Sequence, residues 1–192
     1  RTDANFERQR LFAQFEAYTI LGQMAEGGGQ AAAQAISAFH ELTPNGEMQP
    51  ELVAAANAIL DTNAPPELPA AQRTELLREI TDVLMRFEMN QVGYNRGHDS
   101  SRVQASGLYI LTSRLNHSCD ANVSIQSKKA YCEQHGLPYS MAEEGDVLIA
   151  MANRDIHKGE RLTINYVFGH DGFPGDWDVH RRRELLQRRG FK

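Results

Sequence analysis

The sequence predicts an α+β fold, with helices in the first half of the chain and short strands in the second half. Residues 1–89 are rich in Ala, Glu, Gln and Leu, whereas from residue 90 short apolar runs alternate with polar, Gly-containing turns. Helices and strands that are segregated along the chain are typical of α+β folds. At 192 residues the chain is long enough for one domain with its own core.

The first two helices are predicted from apolar spacing and from a glycine break. Leu11, Phe12, Phe15 and Tyr18 recur at the spacing of one helix face. The run Gly27-Gly28-Gly29 should end this helix, because consecutive glycines favour a turn. We expect a second helix from about Gln30 to Leu42.

Two further helices are predicted before residue 90. Apolar residues again recur at helical spacing from Leu52 to Leu60. The segment from Asp61 to Pro69 contains Pro65-Pro66, so it is excluded from a helix interior. The helix after it has one apolar stripe, made of Leu76, Leu77, Ile80, Val83, Leu84 and Phe87.

Three strands and a last helix are predicted in the second half. Val123 to Tyr131 alternates enough for a strand, and Asp146 to Asn153 is a clearer strand whose apolar centre argues against an exposed edge. A third strand should run from Leu162 to Val167. We expect a helix from Asp178 to Arg189.

Composition narrows the class of protein. The net charge of −5 argues against general nucleic-acid binding. No apolar stretch approaches the ~20 residues of a membrane span, and two cysteines fit a reducing compartment, so we expect a nuclear or cytoplasmic protein. A basic run near the C-terminus contains Arg181, Arg182, Arg183, Arg188 and Arg189. It is either a solvated helix face or a site that binds phosphate or an acidic peptide.

Two short motifs carry the functional prediction. Residues 116–122 read Asn-His-Ser-Cys-Asp-Ala-Asn, and residues 159–166 read Gly-Glu-Arg-Leu-Thr-Ile-Asn-Tyr. The first resembles the Asn-His-Ser-Cys-x-Pro-Asn motif of SET domains, with Ala121 in the proline position. The second resembles the Gly-Glu-Glu-Leu-Thr-x-x-Tyr motif of the same family, with Arg161 in place of the second Glu. The resemblance covers about residues 80–192.

The resemblance implies a protein-lysine methyltransferase that uses S-adenosylmethionine and acts on a histone or another protein presenting a lysine. Asn116 and His117 would hold the cofactor, and Tyr166 would stand where the cofactor meets the lysine channel. A buried histidine and a core-capping tyrosine are the ordinary readings of His117 and Tyr166 taken singly. The implied fold has short strands and a knot-like crossing.

A narrower resemblance, to the SET–MYND-related and fungal branch, adds two cofactor residues. In that branch a helix ending in Asn-x-Phe precedes a Gly-Leu-Tyr segment, which implies a cofactor role for Asn90 and puts Val92 in the Phe position. Phe191 is similar to the aromatic residue that packs on the adenine. The alternatives are a helix cap for Asn90 and a C-terminal anchor for Phe191.

The same branch implies a structural zinc ion. Its motif cysteine joins a C-terminal cysteine cluster, so Cys119 would be one thiolate ligand of a closed four-ligand site. We expect the remaining ligands beyond Lys192, in a post-SET cluster before which this chain is cut. A lone Cys119 would otherwise be a small buried hydrophobe.

The predicted organisation is a helical, SET-associated insertion over residues 1–89 and the C-terminal half of a SET domain over residues 90–192. Three features depart from the family: the Gly-x-Gly strand is not recognisable, Ala121 replaces proline, and Arg189 stands where a channel tyrosine is expected. These departures keep open a catalytically degenerate SET-like interaction module. A third option is an enzyme that methylates a non-histone or non-protein amine.

Overall fold

The computed structural model describes residues 4–44, 48–94, 105–140, 147–166 and 179–188. The chain divides after Asn90 into a helical unit, containing α1 to α4, and a strand unit, which contains the described residues from Gln91 to Gln187. The helices of the helical unit are α1 (Ala4–Glu26), α2 (Gln30–His40), α3 (Pro50–Asn63) and α4 (Ala70–Asn90).

The helical unit is built around an apolar core that α1, α3 and α4 share. Every third or fourth residue of α3 from Leu52 to Leu60 is buried, because this spacing returns to the same face of a helix. The core residues are Leu11, Leu52, Ala55, Ala56, Ile59, Leu60, Ile80, Leu84 and Met85. Phe39 of α2 is buried as well, and its ring centroid lies 5.2 Å from that of Phe87.

The four predicted helices are confirmed, with two corrections. α3 continues through Asn63, three residues into the segment that the prolines exclude from a helix interior, because the backbone restriction begins only at the residue before Pro65. Leu76 belongs to the predicted apolar stripe of α4 but is 37% exposed. The buried face centres on Ile80 and Leu84, and Leu76 lies at its margin.

The strand unit contains three two-stranded pairs. β1 (Gln91–Tyr94) is antiparallel to β2 (Ala105–Leu108), β4 (Val123–Ser127) is antiparallel to β5 (Leu148–Ala152), and β3 (Asn116–His117) is parallel to β6 (Thr163–Ile164). A short 3-10 turn (Thr112–Arg114) precedes β3. The described residues form no closed barrel, and their mixture of helices and short strands matches the predicted α+β class.

The predicted strand from Val123 to Tyr131 is wrong in its second half. β4 ends at Ser127, whose hydroxyl accepts a hydrogen bond from the backbone N–H of Ala130 at 3.1 Å. A serine in this position caps a helix, so the chain turns into α5 (Lys128–His135). Gly136 ends α5 with φ of +63°, a left-handed conformation that glycine adopts without a steric penalty.

The other strand predictions hold in position but not in extent or burial. β5 lies within the predicted range, yet Ala150 and Ala152 are exposed and Val147 is 41% exposed, so its apolar run does not lie in a core. β6 is only Thr163–Ile164, shorter than predicted, and Val167 lies outside the described residues. The last helix, α6 (Val179–Arg188), lies within the predicted range.

Candidate functional site

The parallel pair of β3 and β6 brings the two sequence motifs side by side. Asn116 is opposite Thr163 and His117 is opposite Ile164. The backbone N–H of Ser118 extends this pairing by donating to the carbonyl of Ile164 at 3.0 Å. Residues separated by more than forty positions in the sequence therefore form one local structure.

His117 contacts the predicted catalytic residue directly. The backbone N–H of Tyr166 donates to Nδ1 of His117 at 3.0 Å, and the two ring centroids are 5.5 Å apart. An Nδ1 that accepts a hydrogen bond carries no proton, so neutral His117 has its proton on Nε2. That nitrogen lies 3.3 Å from Sγ of Cys119.

Tyr166 is also held at its hydroxyl group, which donates to the carbonyl oxygen of Leu115. The backbone and the far end of the same side chain are thus both fixed to residues 115–117. A hydroxyl that gives its proton to a carbonyl presents acceptor lone pairs in its other directions. Such an oxygen can accept weak C–H···O contacts from a polarised methyl group.

Asn116 presents a polar side chain that the fold does not use. The residue is exposed, and within the described parts of the chain its carboxamide makes no hydrogen bond. A carboxamide offers two donors and two acceptor lone pairs, which suits it to a polar ligand. Asn116 lies next to His117 in the only parallel pair that the described residues form.

Asn122 is the residue at this site that sequence reasoning missed. It is 2% exposed, and its Nδ2 donates to Oε1 of Glu160 at 2.9 Å and to the carbonyl of Arg161 at 3.0 Å. Its Oδ1 accepts from the backbone N–H of Thr163 at 2.9 Å and from the Thr163 hydroxyl at 3.4 Å. A signal existed, since Asn122 is the last residue of the first motif and Glu160 is the second residue of the second motif.

Glu160 is held as a carboxylate by three donors. Arg154 donates to it at 2.6 Å, Asn122 donates to the same oxygen, and the backbone N–H of His157 donates to the other oxygen at 3.1 Å. Hydrogen bonds from Arg154 first, and then from Asn122 and His157, lower the pKa of Glu160 to about 2. Glu160 is therefore fully ionised at neutral pH.

The remaining predicted site residues lie elsewhere. Asn90 is the last residue of α4, and its Nδ2 donates to the carbonyls of Arg86 at 2.8 Å and Thr43 at 3.3 Å. These contacts are those of a helix-end residue, and its cofactor role stays a prediction. Val92 lies in β1 opposite Gly107, while Phe191 and Arg189 lie outside the described residues.

Cys119 is exposed and lies beside His117. Among the residues that the structure describes, no group of three or more His, Cys, Asp or Glu side chains is arranged to hold a metal ion. The described residues thus do not by themselves complete the predicted zinc site. The ligand role of Cys119 stays a prediction.

The chain matches the model of one protein family. A family model described as the SET domain matches residues 29–167, which is more than half of the chain and includes both motifs. The chain belongs to the SET-domain family. The match begins before α2, so in this SET domain it includes helices that the motif resemblance did not reach.

Other comparisons add no closer relative to this SET domain. Neither the curated proteins nor the solved structures include a match to the chain. None of the helices in the described ranges combines the length and the hydropathy that a membrane span requires. SET domains are in general protein-lysine methyltransferases that use S-adenosylmethionine, and this family activity is the starting point for a functional proposal.

Proposed function

We propose that this SET domain is an S-adenosylmethionine-dependent protein-lysine N-methyltransferase, related to the SET–MYND and fungal branch. Asn116 and His117 bind the cofactor, and Tyr166 orients the methyl group and the lysine amine. The observation that carries the proposal is the double attachment of Tyr166, through its backbone N–H to His117 and through its hydroxyl to Leu115.

The residues fit the demands of methyl transfer. When bound, S-adenosylmethionine would supply an electrophilic methyl group on a sulfonium. A neutral lysine amine would attack the methyl carbon in line as its bond to sulfur breaks, which would leave S-adenosylhomocysteine and a methylated ammonium that returns a proton to water. Catalysis of such a step rests on positioning and on a polar oxygen lining. Tyr166 supplies a fixed hydroxyl oxygen, and the exposed carboxamide of Asn116 supplies donors and acceptors for the cofactor.

The test is a calorimetric titration of S-adenosylmethionine into the intact protein, followed by a methylation assay with lysine peptides. Asn116→Ala should weaken cofactor binding by about ten-fold or more, the equivalent of one or two good hydrogen bonds. Tyr166→Phe should leave cofactor binding nearly unchanged and lower turnover on the order of a hundred-fold, because it removes the hydroxyl that is fixed by Leu115.

Tyr131→Phe is the matched control, since Tyr131 lies on α5 and its ring meets that of His135 at a tilt of 42°, with 4.4 Å between the centroids. It should bind cofactor and turn over like the wild type. Unchanged turnover in Tyr166→Phe would remove Tyr166 from the mechanism. A folded wild type that binds no cofactor would favour the non-catalytic interaction module.

A further inference from the structure

One buried side chain of the first motif forms hydrogen bonds with several residues of the second motif. Asn122 spends both amide hydrogens on Glu160 and Arg161, and its carbonyl oxygen receives two hydrogen bonds from Thr163. Its own backbone carbonyl accepts from the N–H of Asn153 at 2.9 Å. A carboxamide has two donors and two acceptor lone pairs, so the side chain of Asn122 is fully satisfied.

The pairing that Asn122 supports is weak by itself. β3 and β6 are each two residues long. A parallel pair is less stable per residue than an antiparallel pair, and so short a ladder does little to fix its own register. A slip of one residue would turn the side chains of β6 to the opposite face.

Register decides where Tyr166 lies. Residues 160–163 are attached to Asn122 at one end, and Tyr166 is attached to His117 and Leu115 at the other end. Both attachments involve the single segment from Leu115 to Asn122. The two motifs are therefore clamped twice, and Asn122 is the clamp on the side away from Tyr166.

We propose that Asn122 is a positioning residue for methyl transfer: its carboxamide fixes the register of β6 against β3 and thereby sets Tyr166 against His117. The inference rests on the proposed function, although the structural part of it can be tested without any activity. Asn122 need not touch cofactor or lysine for this role, because it acts through Thr163 and β6.

An asparagine is required here and an aspartate does not suffice. Asn122→Asp keeps the size of the side chain but replaces the amide donors with an oxygen that faces the ionised Glu160 and the carbonyl of Arg161. Like charges at hydrogen-bond distance repel, and both former acceptors lose their donor. The register should then be held only by the short backbone pairing.

The experiment compares amide hydrogen exchange at Tyr166 in the wild type, in Asn122→Asp and in Asn153→Asp. Exchange at Tyr166 should accelerate on the order of ten-fold in Asn122→Asp, the change expected when a typical hydrogen bond is lost. Asn153→Asp is the matched control. The side-chain carboxamide of Asn153 is exposed, and among the described contacts it donates only to the carbonyl of Ala121, at 3.2 Å. In this variant the Tyr166 amide should exchange as in the wild type.

Turnover gives the second readout. Asn122→Asp should lower turnover on the order of a hundred-fold, the cost of a misplacement near 1 Å, with a smaller change in the KM for peptide. Combining Asn122→Asp with Glu160→Gln again sets a donor opposite an acceptor, so part of the turnover and of the exchange protection should return. A merely structural loss of stability would lower protection at the other strand-unit amides as well, whereas a lost register should lower it most at Tyr166.

The proposal is overturned if folded Asn122→Asp protects the Tyr166 amide as well as the wild type does. If Asn122→Asp does not fold, Asn122→Ala decides, because it removes the side-chain hydrogen bonds to Glu160, Arg161 and Thr163 without adding a charge. Faster Tyr166 exchange in that variant supports the clamp, and unchanged exchange overturns it. A wild type without methyl transfer would end the proposed function, and the exchange result would still decide the role of Asn122.

Discussion

Different interactions stabilise the helical unit and the strand unit internally. In the helical unit, side chains such as Ile59 and Leu84 are fully buried in an apolar core. In the described part of the strand unit, the buried residues are Asn122, Val123, Ser127 and Cys132, and two of these are polar. The first unit therefore depends on the amount of apolar surface that it buries, and the second depends on particular hydrogen bonds.

This difference has a functional meaning. Apolar burial is nondirectional, so its contribution to stability follows the area removed from water rather than the direction of any one contact. A hydrogen bond has a narrow range of distance and angle, so a network around Asn122 specifies where its neighbours lie. The predicted catalytic residues lie in the unit that is built with directional contacts, and there the position of Tyr166 depends on them.

The largest effect is expected when a side chain in the core of the helical unit is shortened. Leu84→Ala should lower the free energy of unfolding by about 2–5 kcal/mol, because it removes a side chain with no exposed surface and leaves a cavity. Chemical denaturation measures the loss. Leu76→Ala on the same helix is the control and should cost less than about 1 kcal/mol, since Leu76 is 37% exposed. Equal losses would contradict the assigned core.

A smaller effect is expected where a polar side chain ends a strand and begins a helix. Ser127→Ala should cost about 1 kcal/mol, because the hydroxyl accepts from Ala130 N–H at the first turn of α5. The free energy of unfolding from denaturation provides the measurement. Thr74→Ala, which removes an exposed hydroxyl bonded to its own helix, should stay within about 0.5 kcal/mol. A Ser127→Ala variant as stable as that control would contradict the assignment of Ser127 as the N-cap of α5.

The smallest effect at neutral pH and the clearest one in acid concerns Glu160. Its pKa is lowered from 4.5 to about 2, so its contribution to the folded state is complete above pH 4.5 and is lost as pH falls through about 2. The protection factor of the Thr163 amide, which is the intrinsic exchange rate at each pH divided by the observed rate, should fall over this acid range in the wild type. In Glu160→Gln that acid dependence should disappear, whereas Glu133→Gln, on α5, should retain it. An acid profile that is the same in all three proteins would contradict the role of Glu160.

Much of the helical unit was predictable because its signals are local. The spacing from Leu52 to Leu60, the break at Gly27-Gly28-Gly29 and the Pro65-Pro66 pair each act over a few residues, and each predicted helix is present. The margin of a buried face is set by neighbouring helices, which is why Leu76 was misjudged.

Strand ends were harder to predict, since strand length depends on a partner that is distant in sequence. Ser127 can continue a strand or cap a helix, and the local sequence does not choose between them. The apolar run of β5 suggested burial, but β5 pairs with β4 and two of its alanines are exposed.

The sequence alone determined the identity of the two motifs, and hence the family, because motif letters and their spacing are local properties of the chain. It also determined most helices, through the periodicity of their apolar residues. Only the tertiary structure decided that Asn116 is exposed, with a carboxamide that bonds to none of the described residues, while Asn122 is buried and fully bonded. The two asparagines are chemically identical. Their surroundings differ because β3 pairs in parallel with β6 and because the segment from Glu160 to Thr163 forms its hydrogen bonds with the side chain of Asn122 and not with that of Asn116.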